Sequence, residues 1–398
     1  MNPSRPLRVL HVIDSLGRVG GAEEQMLENL RRFNDLRLSH GILCLYELEE
    51  DDRSSEVPPG VEVNYVYRSG VKESSRPHMV RDMTRAIRQT QPDLIHCGLP
   101  NAALGSRIAG RRLGIPVVES LVNISHENIR TVDNPAVARW KLIAHRLLDR
   151  ISMRSVVRFQ ALSQAVARSW IDTVGIPADR VVIIPRGVDM SRFESLNSQQ
   201  ARAELCDSLG LTHDTFLILN VGRQVPQKGQ VYAVRAMAAL LRDVPNSAFL
   251  SAGSRGPMSD RLKDEADQLG VSDRVFWLGV RSDIPALLGA CDAFVFPSLY
   301  EGLGVSLLEA MAAGVPSVTT DIAPMTEVIT DRESGLLVKP QHPEEIASAL
   351  RELANDPELR TKLGGAARLH IETGYASSTT AAMIESVYRD VLGLPDPA

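Results

Sequence analysis

The chain has 398 residues, 44% apolar and 23% charged, the composition of an ordinary soluble globular protein. That length exceeds what one hydrophobic core usually supports, so two domains of roughly 200 residues each are expected. A net charge of -5 argues against a general nucleic-acid binder, and no apolar run reaches the roughly 18 residues needed to cross a bilayer. With no cleavage signal in MNPSRPLRVLHVID, the reading is a cytoplasmic protein.

Short runs rich in Val and Ile alternate with segments of helical period, the pattern of parallel sheets with crossover helices. In the first half, strands are predicted at 7–14, 38–46, 61–67, 94–98, 116–122, 157–163 and 181–185. Helices are predicted between most of them, at 79–90 and 101–113 among others, and one begins near Ala22. A polar stretch, RGVDMSRFESLNSQQARAELCDSLGLTHD, follows at 186–214. The second half starts a fresh series at 216–222, 247–253, 275–279, 292–297, 316–320 and 335–338. After a break at Gly374, an amphipathic helix at 379–393 ends the chain.

Two doubly wound α/β domains explain this better than one wide sheet. The boundaries read as 1–190 for the first domain, 191–214 for a linker, 215–375 for the second domain, and 376–398 for a helix able to cross back to the first. Open parallel sheets bind ligands at the carboxyl ends of their strands, so the expected site is a cleft between two such domains. Cys44, Cys97, Cys206 and Cys291 are far apart in sequence and suit buried free thiols rather than a metal or redox motif.

Three stretches carry candidate chemistry. The first strand leads through DSLGRVGGAEEQM into a helix, where Gly20 and Gly21 permit close backbone approach to an anion. A plain tight turn would look the same, and Gly17, Gly20 and Gly21 do not give G-x-G-x-x-G spacing. The loop GRQVPQKGQ places Arg223 and Lys228 before a helix start. A guanidinium and an ammonium there suit a diphosphate, although two solvated loop cations would read alike.

The third stretch is SLYEGLGVSLLEAMAAG, with Glu301 in a loop at a strand end and Glu309 about one turn inside the following helix. Gly302 and Gly304 leave amides bare around Leu303. The two carboxylates suit either a pair of hydroxyl clamps on a sugar and a ribose or an acid/base pair. Helix capping by Glu301 and solvation of Glu309 would also account for them.

The Gly-Gly-Ala-Glu opening of the first helix, IPRGVDMSRF, GRQVPQKG and SLYEGLGVSLLEAMAAGVPSV occur in that order. Together they resemble the retaining glycosyltransferases of family 4, over nearly the whole chain. The resemblance implies the GT-B architecture of two facing Rossmann-like domains, with an acceptor side first and a donor side second. It implies transfer of a sugar, of the hexosyl class, from a UDP- or GDP-linked donor to a glycan, lipid-linked glycan or small-molecule hydroxyl.

By the same resemblance, Arg223 and Lys228 hold the donor diphosphate, Glu301 the transferred sugar and Glu309 the ribose. The backbone of Leu303, Gly304 and Val305 meets sugar and phosphates, Gly21 approaches the diphosphate, and Arg281 lies where the nucleobase binds. No Asp-x-Asp motif occurs in the chain, so cations and a helix N-terminus are expected to replace a metal. No other cofactor is expected.

One departure stands out. The family's histidine after the strand PVVESLV falls here at Val122 or Asn123. His126 in the following loop, or a hydrogen bond from Asn123, are the candidate replacements, and an exposed loop histidine is the plain alternative. His96, ending the strand LIH, is a further cleft candidate, although a strand-end histidine is more often structural.

The segment 134–158 reads as a helix carrying Arg139, Lys141, Arg146, Arg150 and Arg154, three of them at four-residue spacing on one face. That basic face suits the inner surface of a membrane, although basic faces are more commonly just solvated. A nucleotide-sugar epimerase of the same architecture and a non-catalytic sugar-nucleotide-binding protein remain the alternative functions.

Overall fold

The computed structural model describes residues 5–17, 21–48, 53–68, 76–123, 139–194 and 198–396. The chain divides into two compact units, Met1–Gly187 with Ser377–Ala398, and Val188–Ala376.

The first unit contains β1 (Leu7–Ile13), α1 (Gly21–Arg32), β2 (Leu38–Tyr46), β3 (Glu62–Tyr67), α2 (Arg76–Thr90), β4 (Leu94–Cys97), α3 (Pro100–Leu113), β5 (Val117–Leu121), α4 (Arg139–Ser152), β6 (Val156–Ala161), α5 (Gln164–Val174) and β7 (Val181–Ile183). Its sheet has the order β3-β2-β1-β4-β5-β6-β7 and is parallel throughout. Strand order reverses between β1 and β4. Continuous burial of β1 and β4, with Val9, Leu10, Leu94 and Ile95 fully covered, is what a sheet packed on both faces requires.

The second unit contains α6 (Ser198–Leu209), β8 (Phe216–Val221), α7 (Gln230–Asp243), β9 (Ser247–Ala252), α8 (Ser259–Gln268), β10 (Val275–Gly279), α9 (Ile284–Ala290), β11 (Ala293–Phe296), α10 (Val305–Ala312), β12 (Ser317–Thr320), α11 (Met325–Val328), β13 (Leu336–Val338), α12 (Pro343–Asn355) and α13 (Pro357–Gly374). Its parallel sheet runs β10-β9-β8-β11-β12-β13. Here the order reverses between β8 and β11, so the loops after those two strands flank the switch point where such sheets take ligands. Ile218, Val234, Met237, Phe249 and Val295 form part of the core beneath it.

The last helix, α14 (Ser377–Leu392), belongs to the first unit. Ile384 and Tyr388 pack with Val9, Leu94, Val118 and Ile184. Glu385 Oε1 accepts from the backbone N–H of Asn34 at 3.0 Å and of Asp35 at 2.8 Å.

The segment 134–158 departs from its predicted form. Among the described residues the helix covers only Arg139–Ser152, a 3-10 turn follows at Met153–Ser155, and β6 begins at Val156. The β-branched pair Val156 and Val157 enters the sheet beside β5, which ends the helix and takes Arg154 off its face. The exposed large apolar residues of α4 are Ile143, Leu147, Leu148 and Ile151, beside exposed His145 and Arg150, so this helix presents an apolar stripe as well as basic side chains. Asp149 and Ser152 anchor its inner side by accepting from Arg107 Nη1 at 2.6 and 3.0 Å. Among the described residues no helix is long and apolar enough to cross a membrane.

Candidate active site

The loop after β8 is shaped by glycine. Gly229 has φ +59°, and a Cβ there would lie 2.0 Å from the Pro297 carbonyl oxygen, so only glycine lets this loop press against the end of β11. Gln227 joins the two loops twice, its carbonyl accepting from Leu299 N–H at 2.8 Å and its Nε2 donating to Tyr300 O at 2.9 Å. Ser306 Oγ donates to Val221 O at 2.9 Å and ties the first turn of α10 to the end of β8.

This frame brings Lys228 and Glu301 together. Lys228 Nζ donates to Glu301 Oε1 at 2.6 Å, with the side chains 18% and 8% exposed. The lysine stem crosses Gly222, and its ammonium stands 4.9 Å from the centroid of the Phe296 ring. Arg223, on the same loop, is exposed and has no ion pair among the described residues. Two cations and one carboxylate therefore border the switch point, one cation neutralised and the other available.

Gly304 caps α10 with φ +75°, and a Cβ there would meet Met325 Cε at 2.9 Å and the Phe296 ring at 3.0 Å. Leu303 is buried. Val305 opens the helix, so its amide lies in the first turn, where N–H groups have no intrahelical acceptor. Glu309 sits one turn in and accepts from Arg192 Nη1 at 2.9 Å. Arg281 follows β10 and donates from Nε to Asp283 Oδ1 at 2.7 Å. That fork holds the Asp283 carboxyl below its ordinary range. Arg281 has no bond to Lys228, Glu301 or Glu309 among the described residues.

Gly21 belongs to the first unit, at the first residue of α1 beside the β1/β4 reversal. Its nearest neighbour is Arg186, whose Nη1 would lie 2.6 Å from an added Cβ. His126 lies outside the described residues. Asn123 is exposed, and its backbone carbonyl accepts from Trp170 Nε1 at 2.8 Å. His96 is not a cleft residue: its Nδ1 bonds the Tyr388 hydroxyl and its Nε2 the Ser120 hydroxyl, inside the core under α14.

The motif reading gave no role to Arg192, although IPRGVDMSRF contains it, nor to Arg186. The partner of Arg192 lies 117 positions along the chain, so nothing in the local pattern marked it.

Residues 19–192 match the family described as Glycosyltransferase Family 4, and residues 202–370 match the one described as Glycosyl transferases group 1. The chain belongs to glycosyltransferase family 4. This glycosyltransferase is 28% identical, over 96% of its length and 88% of the relative's, to D-inositol 3-phosphate glycosyltransferase of Acidothermus cellulolyticus. It is 25% identical, over 77% of its length and 78% of the relative's, to the Escherichia coli UDP-Gal:alpha-D-GlcNAc-diphosphoundecaprenol alpha-1,3-galactosyltransferase. Its fold is that of a crystal structure of Anabaena Alr3699/HepE in complex with UDP and glucose, with TM-score 0.78, 22% identity and coverage of 96% and 100% of the two chains. The glycosyltransferase therefore has the GT-B architecture, and the relatives, named as transferases, give the epimerase and non-catalytic alternatives no support.

Proposed function

We propose that this glycosyltransferase moves a sugar from a nucleotide-diphosphate donor, UDP- or GDP-linked, to an acceptor hydroxyl with retention and without a metal. The observation that carries the reading is the Lys228–Glu301 pair with Arg223 beside it at the β8/β11 reversal. In this reading the second unit takes the donor and the first unit the acceptor, with Gly21 approaching the diphosphate. Arg223 and Lys228 face the diphosphate, Glu301 grips hydroxyls of the transferred sugar, Glu309 the ribose, and the amides around Leu303, Gly304 and Val305 meet sugar and phosphate oxygens. Arg281 borders the base.

The reaction then needs positioning and charge more than a protein base. The acceptor oxygen attacks the anomeric carbon on the face from which the phosphate departs. The new C–O bond forms as the bond to phosphate breaks, and the acceptor's proton passes to the departing phosphate oxygen. Arg223 and Lys228 offset the negative charge that grows there. His126 and Asn123 are the candidates for contact with the transferring sugar from the other unit.

A lipid-linked acceptor is supported by the diphosphoundecaprenol in the name of the E. coli relative and by the apolar stripe of α4. Its basic residues add attraction to anionic headgroups, so peripheral membrane contact on the cytoplasmic side is part of the reading.

Thermal-shift screening of UDP- and GDP-sugars in EDTA, followed by product analysis without acceptor, tests the proposal. Stabilisation by one donor class with slow release of free sugar is expected; a donor at a hundred times its Kd adds about 2.7 kcal/mol. Conversion to an isomeric donor, binding without turnover, or dependence on a divalent ion would each overturn it.

A further inference from the structure

Glu309 is the one of the two glutamates that the β8 loop does not hold. Its Oε1 accepts from Arg192 Nη1 at 2.9 Å, while Oε2 has no partner among the described residues. The carboxylate is 18% exposed and the guanidinium 42%. Arg192 comes from the 3-10 turn Met190–Phe193, only four residues past the point where the chain enters the second unit.

That turn is itself fixed. Asp189 Oδ1 caps it by accepting from Ser191 N–H at 3.1 Å and Ser191 Oγ at 2.7 Å, and the Phe193 side chain is buried. Val188 N–H donates to Tyr375 O at 2.8 Å, so the entering strand is pinned to the leaving one. An arginine on a fixed turn restricts the carboxylate it binds, because a charge-assisted hydrogen bond to one oxygen disfavours rotamers that break it. One oxygen is thereby engaged, and the other stays without a partner among the described residues.

We infer that Arg192 is a positioning residue for nucleoside recognition: it orients Glu309 so that the free oxygen meets the ribose hydroxyls. The inference rests on the assignment of Glu309 to the ribose. Loss of Arg192 leaves the Glu309 side chain free to rotate, and the ribose then binds a group that must be ordered at the moment of binding.

The ribose is read by difference, using calorimetric titration of UDP against 2′-deoxy-UDP, with GDP and 2′-deoxy-GDP in parallel. Hydrogen bonds to a charged group give the intact protein a preference for the ribonucleotide of about tenfold. Glu309→Ala abolishes that preference, Arg192→Met reduces it at least threefold, and Arg192→Lys restores most of it. The double variant behaves as Glu309→Ala alone. A general structural role for Arg192 would weaken both nucleotides equally and leave the ratio intact. Full preference in Arg192→Met with none in Glu309→Ala overturns the inference and keeps Glu309 on the ribose. Full preference in Glu309→Ala, or binding of neither nucleotide pair by the intact protein, overturns the ribose assignment and the inference with it.

Discussion

Lys228 Nζ and Glu301 Oε1 are 2.6 Å apart across two loops that leave adjacent strands, and both side chains are largely buried. A buried pair is costly to break from one side, since the partner is left charged and desolvated. Arg223 shares the loop but is exposed and outside this pair. The two cations, assigned the same diphosphate, should therefore separate under mutation. Lys228→Ala is expected to lower turnover by about two to three orders of magnitude and stability by about 3 kcal/mol. Arg223→Ala should lower turnover as much while stability changes by no more than about 0.5 kcal/mol. Donor turnover and calorimetric melting measure both, and near-normal rates in both variants would remove the diphosphate assignment.

The two glutamates should differ in kind. Glu301→Ala removes the proposed clamp on the reacting sugar and should chiefly lower kcat, by about a hundredfold or more. Glu309→Ala removes a hold on the part of the donor that does not react, so it should chiefly weaken donor binding, by about tenfold. Steady-state kinetics with calorimetric donor binding separate the two. Equal losses of kcat with unchanged donor affinity in both would return the pair to an acid/base role.

Gly229 offers a purely conformational test. Its left-handed φ of +59° and the 2.0 Å approach of a Cβ to Pro297 O act together. Gly229→Ala should destabilise the second unit by about 2 kcal/mol or more and separate Lys228 from Glu301. Hydrogen exchange of the β8 and β11 amides would report the loosening, and unchanged protection would contradict the account of the loop.

The strands were legible because most are short, largely apolar runs, several of them bounded by Gly, Pro or Asp as in PVVESLV and DAFVFP, and parallel sheets demand such runs. Glycine punctuation likewise marked the loops of Lys228 and Glu301. What the pattern could not carry was pairing over distance. Arg192 meets Glu309 across 117 positions and His96 meets Tyr388 across 292, so neither the orienting cation nor the burial of the strand-end histidine had a local signal. The arginine spacing of 146, 150 and 154 ran past the end of α4 because charge period continued where β6 took over the backbone.

The first unit should be acid-sensitive. His11 Nε2 faces His40 Nδ1 at 3.1 Å; both rings pack with Phe33 and Tyr388 beneath α14, and His11 also with His96. Burial lowers all three histidines, His40 and His96 to about 4, with Asp35 pulling His40 slightly the other way. The unfolded chain takes up these protons below about pH 6.5, whereas the folded chain refuses them until about 4. Stability is thus full above about pH 6.5 and is lost as the pH falls toward 4. The urea midpoint of the first unit should drop between pH 7 and pH 5, and an unchanged midpoint would count against the buried neutral cluster.

The outer stripe of α4 gives the last prediction. Ile143, Leu147 and Ile151 recur at four-residue spacing, are 63%, 59% and 54% exposed, and lie on a helix held from its inner side by Arg107. A helix anchored on one face with apolar side chains on the other has no reason within its own unit to keep them apolar. Leu147→Asp with Ile151→Asp should leave the melting temperature nearly unchanged, because exposed positions contribute within about 0.5 kcal/mol each. Co-sedimentation with anionic vesicles at low salt should fall at least tenfold in the double variant, since each buried leucine or isoleucine side chain contributes about 1.5 kcal/mol or more. Raising the salt should weaken the native protein's binding only in part, the apolar share remaining. Equal sedimentation of native and double-variant protein would place the stripe away from the membrane.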